Sequence, residues 1–417
     1  MKDSIRLNEL SDPLLSLSTR EQFKALVRAA ATMELPLAAW RLPGTHKPCL
    51  LVDLSGKTTQ VHPDLQCIAP GFLFAPYATD LTAPDAAERP HCCFLNAHLF
   101  WDGDQERLEL QHALSPALQQ QAEALLKAAI QVDKLPGSYA LGKAAAPETK
   151  KEHFIELVQK SIDAIEAGRF QKNVCARTKA VDLPAGFKLE QFLEDLSGAY
   201  PNAFISLVSV PGLGTWVGAT PEILISVDRH QQFRTVALAG TQPKQPGMRP
   251  ADAVWRQKEI EEQALVSRYI INCLKKIRVR EFEEIGPRTI AAANLLHLRT
   301  DFTINLSEVN YPNLPTIMLQ LLHPTSAVCG LPKESAAAFL EQHELLDRSF
   351  FAGFLGPVNL QQETHLFVNL RCMQLFREKA LLYAGAGITA DSVPEREWVE
   401  TEQKCQTLLD ILDKRTS

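Results

Sequence analysis

No run in the 417 residues approaches the roughly 18 uninterrupted apolar residues that a membrane-spanning helix requires. The opening, MKDSIRLNELSD, is polar and lacks the apolar core of a secretory leader, so the chain is expected to work in the cytoplasm, away from membranes. Blocks of like charge are missing too: 49 acidic and 43 basic residues leave a formal charge of -6 spread along the chain, without the tails that bind nucleic acid. The nine cysteines form no C-x-x-C pair of zinc or redox type, and buried reduced thiols are the expectation. Internal repeats, low-complexity tracts and a clear Pro/Gly linker are likewise absent. What is present is 46% hydrophobic content over a long chain, enough to bury a large core without disulfides or a structural metal.

Helix-like and strand-like segments alternate throughout. The most plausible seam is the small, polar stretch Gly137 to Lys151, followed by an amphipathic helix with Phe154, Val158, Ile162 and Ile165 on one face. Strands are expected near Asn173 to Val181, Ala203 to Val210, Glu222 to Val227, Phe233 to Ala239, His365 to Phe376 and Ala380 to Ala384. Helices are expected from about Ala253 to Ile277 and from Pro394 to Leu412, the latter capped by Ser392 with Glu395 closing a capping box.

On the last helix Glu397, Glu400 and Lys404 recur at i, i+3 and i+7, a pattern that fits a solvated charged stripe as well as a site. Glu262 heads the otherwise apolar stripe Val266, Tyr269, Ile270 and Cys273, so it faces the interior or a cleft and requires a cationic partner, either a basic side chain or a metal. Together these acids offer hard oxygen ligands from two helices, a donor set suited to Mg²⁺; no His/Cys cluster accompanies them to favour zinc. Glu222 follows the turn Gly218-Ala219-Thr220-Pro221 and reads either as an exposed turn glutamate or as a shielded acid. Lys172 begins a strand and reads as a solvated end residue or a base. Gly385 and Gly387 follow the strand ending at Ala384, where backbone N–H groups can approach a carboxylate or form a plain loop; the dinucleotide fingerprint is excluded, since its third glycine is missing. Arg371, within the alternating Phe367 to Cys372, is placed to grip a carboxylate with both arms.

Six segments in order resemble the chorismate-utilising enzymes: Gln171 to Val174, Gly218 to Glu222, Thr235 to Thr241, Lys258 to Val266, Leu322 to Thr325 with Gly330, and Ala384 to Lys404. The resemblance spans roughly residues 150 to 412. It implies an α+β (mixed α/β) fold, one large chorismate-binding domain with layered, antiparallel-rich sheets flanked by helices. Residues 1–145 would be the N-terminal part of the same fold and 146–417 the catalytic region. By the same resemblance Glu262 and Glu400 match Mg²⁺ ligands, with Glu397 close by; Lys172 matches the base that activates water and Glu222 the acid that protonates the departing 4-hydroxyl. Arg371, Gly385 and Gly387 match positions that hold the substrate's carboxylates, and Thr241, His323 and Lys404 positions that line its pocket.

Two positions sort the branches. Ammonia-using members usually carry glutamine where this chain has Lys172, and one branch places a nucleophilic lysine where it has Ala239, so no glutamine amidotransferase subunit is expected as partner. The segments Leu322 to Val328 and Phe350 to Gly353 are most similar to isochorismate synthases, Mg²⁺-dependent isomerases that convert chorismate to isochorismate. The alternatives are a salicylate synthase, which goes on to eliminate pyruvate, and a catalytically inactive chorismate-binding protein. Asn173 and Gln263 depart from the familiar pattern, which touches local packing more than reaction class. The resemblance leaves open a menaquinone or a siderophore pathway for the product.

Overall fold

A computed structural model describes residues 13–14, 16–79, 81, 92–111, 114–131, 139–141, 147–244, 247–292 and 295–414. Two large antiparallel sheets make its centre. The first, of ten strands, runs in space Gly330–Leu331, Lys172–Asp182, Lys379–Ile388, Cys372–Leu375, Gly214–Thr220, Phe204–Val210, Leu37–Arg41, Cys49–Val52, Leu99–Asp102 and Arg107–Leu110. The second, of nine, runs Glu283–Ala292, Leu295–Asn305, Gln232–Pro243, Ile223–Val227, Thr364–Val368, Phe354–Val358, Gly71–Ala75, Cys92–Asn96 and Thr59–Val61. The mixed α/β, antiparallel-rich fold is therefore the expected one.

The central strands are apolar on both faces because both faces are covered. In Phe204–Val210, Phe204, Val208 and Val210 point into the core between the sheets, where Phe204 stacks on Phe367 with centroids 4.0 Å apart. Ile205 and Leu207, at the alternate positions, enter a second core built with the helices Thr19–Thr32, Pro116–Ile130, Leu189–Ala199 and Pro394–Asp413. The helix Lys151–Glu166 buries Phe154, Val158 and Ile162 as expected. On the nine-stranded sheet lie the helices Gln257–Lys276 and Leu314–Leu322.

Strands before residue 111 enter both sheets: Leu37–Arg41 pairs with Phe204–Val210, and Gly71–Ala75 with Phe354–Val358. The stretch read as a seam lies partly outside the described residues, as does the polar opening of the chain. Among the described residues no helix is long and apolar enough to cross a membrane.

Three local expectations need correction. His365 to Phe376 is not one strand: Thr364–Val368 belongs to the nine-stranded sheet and Cys372–Leu375 to the ten-stranded one, so Arg371 lies in the crossover between sheets, at φ +48°. Alternation continued through that crossover and concealed it. Gly385 and Gly387 lie inside the strand Lys379–Ile388, opposite Ala176 and Val174, and not in a loop after it. The last helix is capped at Val393, without a side-chain bond; the Ser392 hydroxyl instead accepts from Thr389 N at 3.1 Å.

Candidate active site

Lys172 opens its strand one position in from the sheet edge, paired with Leu331, while Asn173 pairs with Ile388 on the other side. Strand alternation turns its side chain inward, where it is fully buried, and Nζ lies 3.0 Å from Glu262 Oε1. A buried ammonium without a counter-charge would cost several kcal/mol, so Lys172 depends on Glu262. The pair excludes a side chain at Gly387: a Cβ there would stand 2.4 Å from Glu262 Oε1 and 3.1 Å from Lys172 Cε.

Glu262 is aimed by its helix, Gln257–Lys276, whose buried stripe includes Val266, Ile270 and Cys273. Its neighbour Gln263 keys that helix to the sheet, Oε1 accepting from Ala239 N at 2.9 Å and Nε2 donating to Ala237 O at 3.2 Å and Thr300 Oγ1 at 3.0 Å. The strand bulges between Ala239 and Thr241, with Gly240 at φ +69°, a conformation glycine adopts without strain. The bulge turns Gly240 N toward Glu262 Oε2, 3.3 Å away. Burial pushes the Glu262 carboxyl up, but the charges of Lys172, Lys258 and Lys404 outweigh it and hold the group below its usual range.

Glu222 is 4% exposed, fixed where Val368 N donates to its carbonyl at 3.0 Å. Burial raises its carboxyl to about 7, against the opposing charges of Lys172, Arg371 and Lys404 and a 3.4 Å hydrogen bond from Thr325 Oγ1. The exposed-turn reading is excluded. Lys172 and Glu222 are both buried, and the lysine's charge is among those that oppose the rise of the glutamate's pKa.

The last helix brings the remaining acids. Glu397 is 1% exposed, its Oε1 2.5 Å from Lys258 Nζ, and Glu400 Oε1 lies 2.7 Å from Lys404 Nζ, which also donates to Gly385 O at 2.8 Å. Burial, reinforced by Glu400, raises the Glu397 carboxyl. Burial lowers the Lys258 ammonium, but Glu397, which it touches, and the charges of Glu400 and Glu262 together raise it. Among the described residues no three His, Cys, Asp or Glu side chains converge as a ready metal cage; each acid faces an ammonium. A cleft open to solvent is lined in part by Thr241, Lys258, Glu397 and Glu400.

Arg371 is oriented by His297. The ring's Nδ1 carries the proton, because it lies 2.9 Å from Gly240 O, so Nε2 accepts from Arg371 Nη2 at 3.4 Å; Thr241 Oγ1 stands 3.3 Å from Nδ1. Burial and the Arg371 charge drive the His297 pKa to about 3, and burial lowers Arg371 to about 10. His323 is held differently: its ring meets Phe354 edge-on at 5.0 Å, its carbonyl accepts from Lys333 Nζ at 3.0 Å, and burial lowers its pKa to about 3. It is Thr325, two residues on, that reaches Glu222.

Lys258, His297, Gln263 and Thr325 carry roles that the sequence reading did not assign. Lys258 stands four residues before Glu262, on one helical face, and His297 interrupts the apolar Leu295, Leu296 and Leu298 of a strand. Both patterns were readable as buried polar groups. Thr325 shows no such pattern, though it closes the segment Leu322 to Thr325 that carries part of the resemblance.

Residues 81–413 match the family described as "Chorismate binding enzyme". The isochorismate synthase MenF of Escherichia coli (strain K12) is 26% identical over 296 residues, covering 70% of this chain and 67% of the relative. Isochorismate synthase EntC of the same strain is 28% identical over 274 residues, 64% of this chain and 68% of the relative. In fold, the solved structure of MenF, the menaquinone-specific isochorismate synthase from Escherichia coli, superposes with a TM-score of 0.71 at 21% identity, covering 93% of this chain and 91% of that one.

Proposed function

The chain belongs to the chorismate-binding enzyme family, and from that premise we propose that it is an isomerase interconverting chorismate and isochorismate. Relatives named isochorismate synthase at 26% and 28% identity support this reading. The observation that carries it is a buried base candidate and a buried acid within electrostatic reach of each other: Lys172, its Nζ 3.0 Å from Glu262 Oε1, and Glu222, whose carboxyl burial raises to about 7.

Water adds at C2 of chorismate while the 4-hydroxyl departs. Lys172, neutral, takes a proton from the entering water, and Glu222, protonated, gives one to the departing oxygen, which leaves as water. The ring gains one hydroxyl at C2, loses one from C4 and shifts both of its double bonds, so the formula is unchanged and the step runs in both directions. Arg371, aimed by His297, binds a substrate carboxylate, and the burial of Lys172 and Glu222 keeps bulk water from the reacting groups.

Mg²⁺ is the proposed cofactor. Glu262 on one helix and Glu397 and Glu400 on another, whose charges all bear on Lys258, are hard-oxygen donors of the kind Mg²⁺ takes, and Glu397 Oε2, buried, has no hydrogen-bond partner among the described residues. Glu262 and Glu400 would hold the ion, with Glu397 beside them. Bound there, it would supply positive charge that holds a substrate carboxylate.

Purified protein with chorismate and Mg²⁺ should yield isochorismate at neutral pH without pyruvate. Stoichiometric pyruvate release would replace this reading with salicylate formation, and no conversion at all would reduce the chain to a binding protein.

A further inference from the structure

Five residues beyond Lys172, on the opposite face of the same strand, Arg177 is buried with 1% exposure. Its Nε donates to Thr401 Oγ1 at 2.6 Å, its Nη2 pairs with Glu402, and its guanidinium lies over the Trp398 ring 3.9 Å from the centroid. Lys179, two residues further, holds the other oxygen of Glu402 at 2.6 Å. Thr401 also donates to Trp398 O at 2.7 Å, closing the group. The three side chains touched by Arg177 come from the one helical turn that interleaves with Glu397 and Glu400.

We infer that Arg177 is a positioning residue: it fixes the rotation of the acid-bearing helix against the strand that carries Lys172. The physical reason is leverage. Side-chain ends sweep a circle of radius about 5 to 6 Å around a helix axis, so turning the helix by about 20° would move a carboxylate by about 2 Å, more than a metal ligand or hydrogen bond tolerates. A planar guanidinium that stacks, donates to a hydroxyl and pairs with a carboxylate at once resists such rotation; an apolar contact permits it. Gln263 does the corresponding service for Glu262, so each acid-bearing helix is keyed to its strand beside its own carboxylate.

The inference rests on the Mg²⁺ reading above, and its test separates the two. Arg177→Lys keeps the charge but loses the fork and the flat stacking surface; Thr401→Val keeps the shape and the Arg177–Glu402 pair but removes the hydroxyl. Mg²⁺ titrated calorimetrically without chorismate should bind each variant about tenfold more weakly than the parent, with kcat lower by about tenfold and KM for chorismate at saturating Mg²⁺ within about twofold. Trp398→Phe, which keeps an aromatic face, should stay near the parent. Variants with lowered melting temperature but parental Mg²⁺ affinity and kcat would reduce Arg177 to a core residue and overturn the inference; should Arg177→Lys fail to fold, Thr401→Val decides alone. Failure of the functional reading would appear in the parent's products, failure of this inference only in the ratios of variant to parent.

Discussion

Lys172 Nζ and Glu262 Oε1 meet at 3.0 Å across the gap between a strand of one sheet and a helix resting on the other. The contact ties together the two layers that enclose the site, and it exists only because residue 387 has no side chain.

Gly387→Ala tests that dependence. The new methyl would displace the Glu262 carboxylate, the far end of a flexible side chain, so the fold should survive while kcat/KM falls by about 10²-fold. Steady-state rates together with a melting curve check this; parental rates would show that the pair is dispensable.

Removing the base should be more severe. Lys172→Ala is expected to lower kcat by about 10³-fold, within the range proton transfer contributes, with the protein still folded because Lys258 and Lys404 continue to balance Glu262. Turnover of chorismate followed by product chromatography is the measurement, and near-normal turnover would remove Lys172 from the mechanism.

The rate should fall as pH rises through about 7, because the proposed reaction has Glu222 carry a proton to the departing 4-hydroxyl. Thr325→Val removes a bond that favours the ionised form, so the descending limb should move to higher pH. The sign for stability is the same: a carboxyl raised in the fold favours folding fully below its unfolded pKa, near 4.5, and that contribution fades as pH climbs to about 7. Glu222→Gln should abolish both effects, seen in rate profiles and in melting temperature against pH.

His297→Leu would leave the Arg371 guanidinium without its acceptor. An increase in KM for chorismate of about tenfold, with a smaller change in kcat, is the expected result of loosening a carboxylate grip. Since the imidazole is neutral down to about pH 3, this loss should not vary between pH 6 and 9; an effect that titrates in that range would contradict the neutral assignment.

The sequence disclosed most where a residue's environment is set locally. The strand beginning at Lys172 and the helices carrying Glu262, Glu397 and Glu400 follow from periodicity, and their observed limits differ by only a few residues from those expected. It disclosed least where a side chain's partner is distant in the chain. Arg371 was read into a continuous strand because alternation runs on through the crossover, and only the pairing of Cys372 with Gly218 reveals the change of sheet. The Gly385 and Gly387 pair looks like a loop because small residues normally weaken strands; here both lie inside one, and the space above Gly387 is taken by the Glu262 carboxylate. The role of His297 depends on Gly240 and Arg371, 57 and 74 residues away, and no local pattern carries that information.

The early strands have a consequence for dissection of the protein. A fragment starting at residue 146 would retain every acid and base discussed above, yet Phe204–Val210 would lose Leu37–Arg41 and Phe354–Val358 would lose Gly71–Ala75. Two long apolar borders would then offer unsatisfied amides and carbonyls to any neighbouring molecule, the usual starting point for aggregation. The chemistry can be assigned to the later two thirds of the chain, but it cannot be excised with them.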